Sequence, residues 1–138
     1  MTKLNDCIFC KIASGEIPAG KIYEDEDVFA FLDISGDVYG HTLVVPKKHY
    51  ENALVCPPEL LSKVVLATQK IANHYTKNCG VDGVNIVANC GEAAEQTVMH
   101  LHFHIIPRIK EQPPHSLFAD LPKNNFDFEK MQKQFKIN

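Results

Sequence analysis

Met99-His100-Leu101-His102-Phe103-His104-Ile105-Ile106-Pro107 is the stretch on which the reading of this chain turns. The chain has seven histidines, and three of them alternate here with apolar residues. Alternation at period two marks a strand with one buried face. Met99, Leu101, Phe103 and Ile105 are expected to point into a core. His100, His102 and His104 are expected to line the other face, with neighbours about 6.6–6.8 Å apart. The strand is expected to span Thr97–Ile106 and to end at Pro107.

Working outward, Val84–Asn89 reads as the preceding strand, and Cys90-Gly91-Glu92 as the loop between them. Further upstream, Lys21–Glu24 and Val28–Asp33 read as strands around the acidic turn Asp25-Glu26-Asp27. Ser35-Gly36-Asp37 reads as a turn, and His41–Val45 as a strand stopped by Pro46. Pro57 and Pro58 suit a helix start. Leu61, Val64, Val65, Thr68, Ile71, Ala72 and Tyr75 follow at helical spacing, and Gly80 suits the residue after the last turn near Cys79. A short helix is expected over Cys7–Ser14, capped by Asn5 or Asp6, and another over Phe126–Phe135. From about residue 109 the tail reads as otherwise irregular, with Pro113 and Pro114 in an extended segment. The order α-β-β-β-α-β-β, with strands joined directly, implies an α+β fold with a largely antiparallel sheet.

At 138 residues the chain has the length of one domain, residues 1–138. A net charge of −3 gives no sign of the basic face that nucleic acid requires, though a local pocket can still hold a small anion. No apolar run approaches the roughly 18 residues that span a bilayer, and Met1–Asp6 lacks the apolar stretch of a signal peptide. A cytoplasmic protein is expected, with neither membrane nor nucleic acid as partner. Its five cysteines, an odd number and mostly scattered, suit a reducing compartment better than a disulfide framework.

Three readings of the histidine row compete. It is a polar surface face, a metal site, or a nucleophilic centre. Its two ends lie too far apart on a strand for all three rings to bind one ion, and the row itself contains no carboxylate. Neutral imidazole is a good nucleophile near neutral pH, and a neighbouring ring can handle the leaving group's proton. Asn89-Cys90-Gly91-Glu92-Ala93-Ala94-Glu95-Gln96-Thr97, just before the row, offers amides, a hydroxyl and a glycine bend whose N–H groups suit an anion.

In His100–Ile106 the chain resembles the histidine triad (HIT) family, whose motif is His-x-His-x-His with apolar x. The likeness extends from Cys7 to about Pro113. Its supporting blocks are Cys7-Ile8-Phe9-Cys10-Lys11-Ile12, Gly15-Glu16-Ile17-Pro18, Phe31-Leu32-Asp33-Ile34, Gly40 to His49, and Gln96-Thr97-Val98. They are most similar to the Hint-like branch. The resemblance implies a HIT-like fold: a five-stranded antiparallel sheet with one long and one or two short helices. It implies a homodimer that acts on purine nucleotides, derivatives of AMP or GMP, at the α-phosphorus.

By the same resemblance, His102 is the nucleophile and carries a covalent nucleotidyl intermediate, His104 assists the leaving group, and His41 hydrogen-bonds the His102 ring. Asn89, Gln96 and Thr97 match positions that hold the α-phosphate, and Asp33 matches the carboxylate that accepts the ribose hydroxyls. Ile8, Phe9, Ile12, Phe31, Leu32 and Ile34 match the walls of the base pocket, where plain core packing is the competing role. Cys7, Cys10, His49 and His100 match a structural zinc set, against the alternative of metal-free thiols; no cofactor is implied for catalysis. Two residues depart from the pattern. Glu95 stands where the family usually has glycine, and Cys90 where related sequences often have asparagine. The leading expectation is a purine nucleoside phosphoramidase. The alternatives are a diadenosine polyphosphate hydrolase and a nucleotide-binding protein with vestigial catalysis.

Overall fold

Val28-Phe29-Ala30-Phe31-Leu32 and Thr42-Leu43-Val44-Val45-Pro46 are buried at every position. A strand buried on both sides needs a layer on each face of its sheet, and the computed structural model, which describes residues 6–111 and 123–137, supplies both. The strands are β1 (Lys21–Glu24), β2 (Val28–Leu32), β3 (Thr42–Pro46), β4 (Gly83–Val87) and β5 (Phe103–Arg108). The helices are α1 (Ile8–Ala13), α2 (Pro58–Asn78) and α3 (Phe128–Phe135). The strands form one antiparallel sheet in the order β1-β2-β3-β5-β4, as the fold class expected.

On one face, Val28, Ala30 and Leu32 of β2 and Val44 of β3 pack with Val64, Ala67, Ile71 and Tyr75 of α2. Met131 and Phe135 of α3 enter the same core. A buried phenylalanine of this kind is worth about 3–5 kcal/mol against alanine. On the other face, Phe29, Phe31, Leu43 and Val45 meet Cys7, Phe9 and Ile12 from the α1 region. The rings of His100 and His102 pack against Phe9 on this second face.

Several boundaries differ from expectation, each for a visible reason. Cys7 rather than Asn5 or Asp6 caps α1, its Sγ accepting from the Cys10 N–H. β4 ends at Val87, so Asn89 lies in the loop beyond it. β5 begins at Phe103 rather than Thr97, because the Leu101 N–H goes to the Tyr50 carbonyl and not to a neighbouring strand. Pro107 does not stop β5. Its pairing with β3 ends at Ile105, so the proline stands where that side is already an edge. The tail contributes α3, capped by Asp127, whose side chain accepts from the Lys130 N–H. Pro113, Pro114 and His115 lie outside the described residues.

Gly40 fixes the entry to β3. Its φ is +84°, and a Cβ there would stand 2.6 Å from the Phe135 ring. Both conditions demand glycine, and the next residue is His41.

Candidate active site

His102 is 6% exposed, and its Nδ1 lies 2.7 Å from the His100 carbonyl oxygen. A carbonyl only accepts, so Nδ1 carries the proton and Nε2 of the neutral ring keeps its lone pair. Burial lowers the pKa of this ring and keeps it neutral. The edge of Phe9 packs against it with ring centroids 5.0 Å apart.

His104, on β5 opposite Leu43, has Nδ1 2.9 Å from Nε2 of His41. The structure therefore corrects one expectation: His41 bonds His104, and the His100 carbonyl sets the tautomer of His102. Burial, then the neighbouring rings of His102 and His41, lower the pKa of His104 to about 4. The other nitrogen of His41, Nδ1, lies 2.8 Å from Oδ1 of Asp37 and 3.6 Å from Oδ2 of Asp33. Burial works to raise the Asp37 carboxyl, but the hydrogen bond and charge of His41, with bonds from Val38 N–H and Ser35 Oγ, hold it down at about 2. Asp33 accepts the Ser35 N–H at 2.8 Å.

The loop before the row is built by Gln96. Its Nε2 donates to the carbonyls of Glu51 and Val98, and its Oε1 accepts from the Gly91 N–H and from Asn52 Nδ2. That uses both donors and the acceptor, so Gln96 clamps the loop and is not free to hold a phosphate. The expected anion nest is also largely spent: the N–H groups of Ala94, Glu95 and Gln96 bond to carbonyls inside the loop. The side chains of Asn89 and Thr97, by contrast, make no hydrogen bond among the described residues and remain available. Glu95 is exposed and takes the left-handed conformation, with φ +70°, alone among described non-glycine residues.

The apolar set divides. Phe9, Phe31 and Ile12 share the site face. Leu32 does not: strand alternation sends it into the α2 core, which corrects its expected place in a base pocket. Ile8 and Ile34 are 48% and 79% exposed and can only border a pocket.

The four residues Cys7, Cys10, His49 and His100 converge, their ligand atoms all within 4.8 Å of one another. His100 donates Nε2–H to the Pro46 carbonyl at 2.8 Å, which leaves its Nδ1 lone pair facing the other three. From Nδ1 of His100 it is 3.3 Å to Cys7 Sγ, 3.4 Å to Cys10 Sγ and 3.1 Å to His49 Nδ1.

Residues 14–111 match the HIT domain. This chain belongs to the HIT family. A HIT-like protein of Methanocaldococcus jannaschii is 47% identical over 94% of this chain and 98% of its own length. The adenosine 5′-monophosphoramidase HNT1 of Saccharomyces cerevisiae is 38% identical over 94% of this chain and 78% of its own. A zinc-bound histidine triad family protein from Mycobacterium smegmatis superimposes with a TM-score of 0.84, at 36% identity over 97% of this chain and 93% of that one.

In this HIT protein the four converging residues fit zinc. Tetrahedral zinc with ordinary bond lengths sets N···N near 3.3 Å and S···N near 3.6 Å, close to the separations above. Burial, then Cys7 beside it, pushes the Cys10 thiol up to about 12, so a thiolate there calls for a cation. The same four residues are those that the resemblance implied.

Sequence reasoning passed over Asp37, taken only as a turn residue, and Asn52, given no role. The one signal for Asp37 is its place four residues before a histidine in a glycine-bearing loop. Asn52 carries no local signal, since its partner Gln96 is 44 residues away.

Proposed function

We propose that this HIT protein hydrolyses purine nucleoside 5′-phosphoramidates at the α-phosphorus, through a nucleotidyl intermediate on His102. The observation that carries the reading is the bond from His102 Nδ1–H to the His100 carbonyl, which leaves a neutral, buried ring with Nε2 unprotonated. Nε2 attacks phosphorus, the P–N bond to the amine breaks, and the amine leaves with a proton from His104. Water then attacks phosphorus, the bond to His102 breaks, and AMP or GMP is released while His104 takes the water's proton. The name of the yeast relative supports this substrate class.

Asp33 receives the ribose hydroxyls, and Asn89 and Thr97 hold the α-phosphate with side chains that no other described group engages. Phe9, with Ile8 and Ile34 at the rim, packs on the base and favours the larger surface of a purine. Zinc held by Cys7, Cys10, His49 and His100 would staple the start of α1 to the segments that follow β3 and precede β5, and would take no part in the chemistry.

We read the assembly as a homodimer. The support is a set of exposed apolar side chains, Leu54, Val55, Val65, Leu66 and Ile86, on or beside α2 and β4. α3 and α2 share one core, which supports a single domain. The free thiols suit the cytoplasm, and no helix among the described residues is long and apolar enough to cross a membrane.

The test is AMP release from adenosine 5′-phosphoramidate by wild type and His102→Ala. We expect the variant to lose at least 1,000-fold, on the order of losing a catalytic nucleophile. Equal turnover by His102→Ala removes the mechanism. AMP binding by wild type without any release points instead to a binding role.

A further inference from the structure

An amine leaves phosphorus poorly unless it is protonated, and on the reading above His104 protonates it. His104 is half-buried, and its lowered pKa leaves it neutral, with one proton, near neutral pH. A neutral imidazole that gives up its Nε2 proton must regain one at Nδ1 or become an anion. Nδ1 of His104 faces one partner for this, His41 Nε2, at 2.9 Å. The opposite nitrogen of His41 faces Asp37 Oδ1 at 2.8 Å.

We infer that Asp37 is a positioning residue for proton transfer: its carboxylate holds on His41 the proton that replaces the one His104 gives to the departing amine. The inference rests on the phosphoramidase reading and adds to it a source for the proton. Asp37 is aimed for this task. Its Oδ1 also accepts from the Val38 N–H at 2.7 Å and from Ser35 Oγ at 3.0 Å, so donors fix the oxygen that meets His41. Among the described residues, the charged and titratable groups around His41 are Asp37, Asp33 at 3.6 Å, and His104, with the His102 ring packed against His104.

The steps balance. The inferred arrangement before attack has a proton on each nitrogen of His41, Nδ1–H on Asp37 Oδ1 and Nε2–H on His104 Nδ1, and the His104 proton on Nε2. As His102 Nε2 bonds phosphorus, the P–N bond to the leaving group breaks. The amine takes the proton from His104 Nε2, and His104 Nδ1 takes the proton from His41 Nε2. His41 is then neutral, with its Nδ1–H still on Asp37. In hydrolysis the order reverses: water's proton goes to His104 Nε2, and the Nδ1 proton returns to His41. Water is the only co-reactant. Asp33 is the other carboxylate near His41, but it is farther from Nδ1 and its Oδ1 is taken by Ser35.

Asp37→Asn tests this, because the amide oxygen still accepts from His41 Nδ1–H while the charge is gone. Two substrates with one nucleoside separate the proton from the rest: adenosine 5′-phosphoramidate, whose amine needs a proton, and adenosine 5′-phosphosulfate, whose sulfate leaves without one. We expect kcat on the phosphoramidate to fall about 10- to 100-fold, at least ten-fold further than on the phosphosulfate. KM should change little, and Asp37→Glu, which keeps the charge, should recover most of the selective loss. Equal losses on both substrates, or no loss on either, overturn the role of Asp37 while leaving the nucleophile intact. If Asp37→Asn does not fold, the comparison passes to Asp37→Glu and wild type, where a full and unselective loss overturns it. Wild type that releases AMP from neither substrate removes the phosphoramidase reading and this inference with it.

Discussion

His100 and His102 stand two residues apart, and both are buried, yet they face opposite tasks. His100 gives its Nε2–H to the Pro46 carbonyl and turns Nδ1 toward two thiols and a second imidazole. His102 gives its Nδ1–H to the His100 carbonyl, which leaves Nε2 unprotonated, the nitrogen that the proposed function assigns to attack. The chemistry of each ring is set by which nitrogen finds a backbone oxygen. The two clusters are also joined, since the carbonyl that fixes the second ring belongs to the first. A metal on His100 would hold in place the peptide that selects the tautomer of His102.

The largest effect should come from breaking the first cluster. Zinc removed by a chelator, or Cys7→Ser with Cys10→Ser, should cost about 4 kcal/mol of stability at saturating metal and lower Tm by roughly 10–20 °C. Calorimetry with zinc quantified on the same sample checks it. A metal-free protein with unchanged Tm would mean that the four residues are held by hydrogen bonds alone.

Acid should reach the second cluster in two windows. His104 falls to about 4 in the folded protein, against about 6.5 unfolded. Between these values the unfolded chain binds more protons, so stability is lost as pH falls from 6.5 toward 4. The loss from His104 is roughly 2–3 kcal/mol. Asp37 is depressed to about 2, so its contribution is present above pH 4 and is lost only as pH falls from there toward 2. Urea unfolding at several pH values separates the two, and His104→Asn should reduce the slope of the upper window, leaving the part due to His100 and His102, which burial also lowers. An unchanged slope between pH 6.5 and 4 in that variant would place the titration elsewhere.

Much of this was legible in the residues. Pro57-Pro58, the apolar spacing of α2 and Gly80 set a helix that the structure runs over Pro58–Asn78 with Cys79 as its cap. The strands β1 to β3 stand within a residue or so of their expected places. Alternation at 100–104 picks out His100, His102 and His104, but the His41–His102 bond that the resemblance implied goes to His104 instead. Alternation specifies which residues share a face and not which backbone group each N–H meets, so the Leu101 bond to Tyr50 and the start of β5 at Phe103 were hidden. The same limit applies to Gln96, whose partners at Glu51 and Asn52 come from a segment far away in sequence. Leu32 was misplaced although its neighbours Phe31 and Asp33 were informative, because motif matching ignores the pleat that sends Leu32 to the other face.

The smallest expected effect concerns the loop that leads into both clusters. Glu95 holds φ +70° at the end of a short turn, and its N–H bonds the Glu92 carbonyl. Left-handed backbone costs an L side chain about 1–2 kcal/mol, whereas glycine avoids that cost and loses about 0.5–1 kcal/mol through its freer unfolded state. Glu95→Gly should therefore stabilise the fold by about 0.5–1 kcal/mol in urea titrations. It should also leave zinc retention unchanged, because the strain is local and Gln96 anchors the chain between Glu95 and His100 through its bonds to Gly91, Glu51 and Val98. If Glu95→Gly instead loosened zinc or lowered stability, the clamp at Gln96 would not isolate the loop. The two histidine clusters would then be coupled through this segment as well as through the His100 carbonyl.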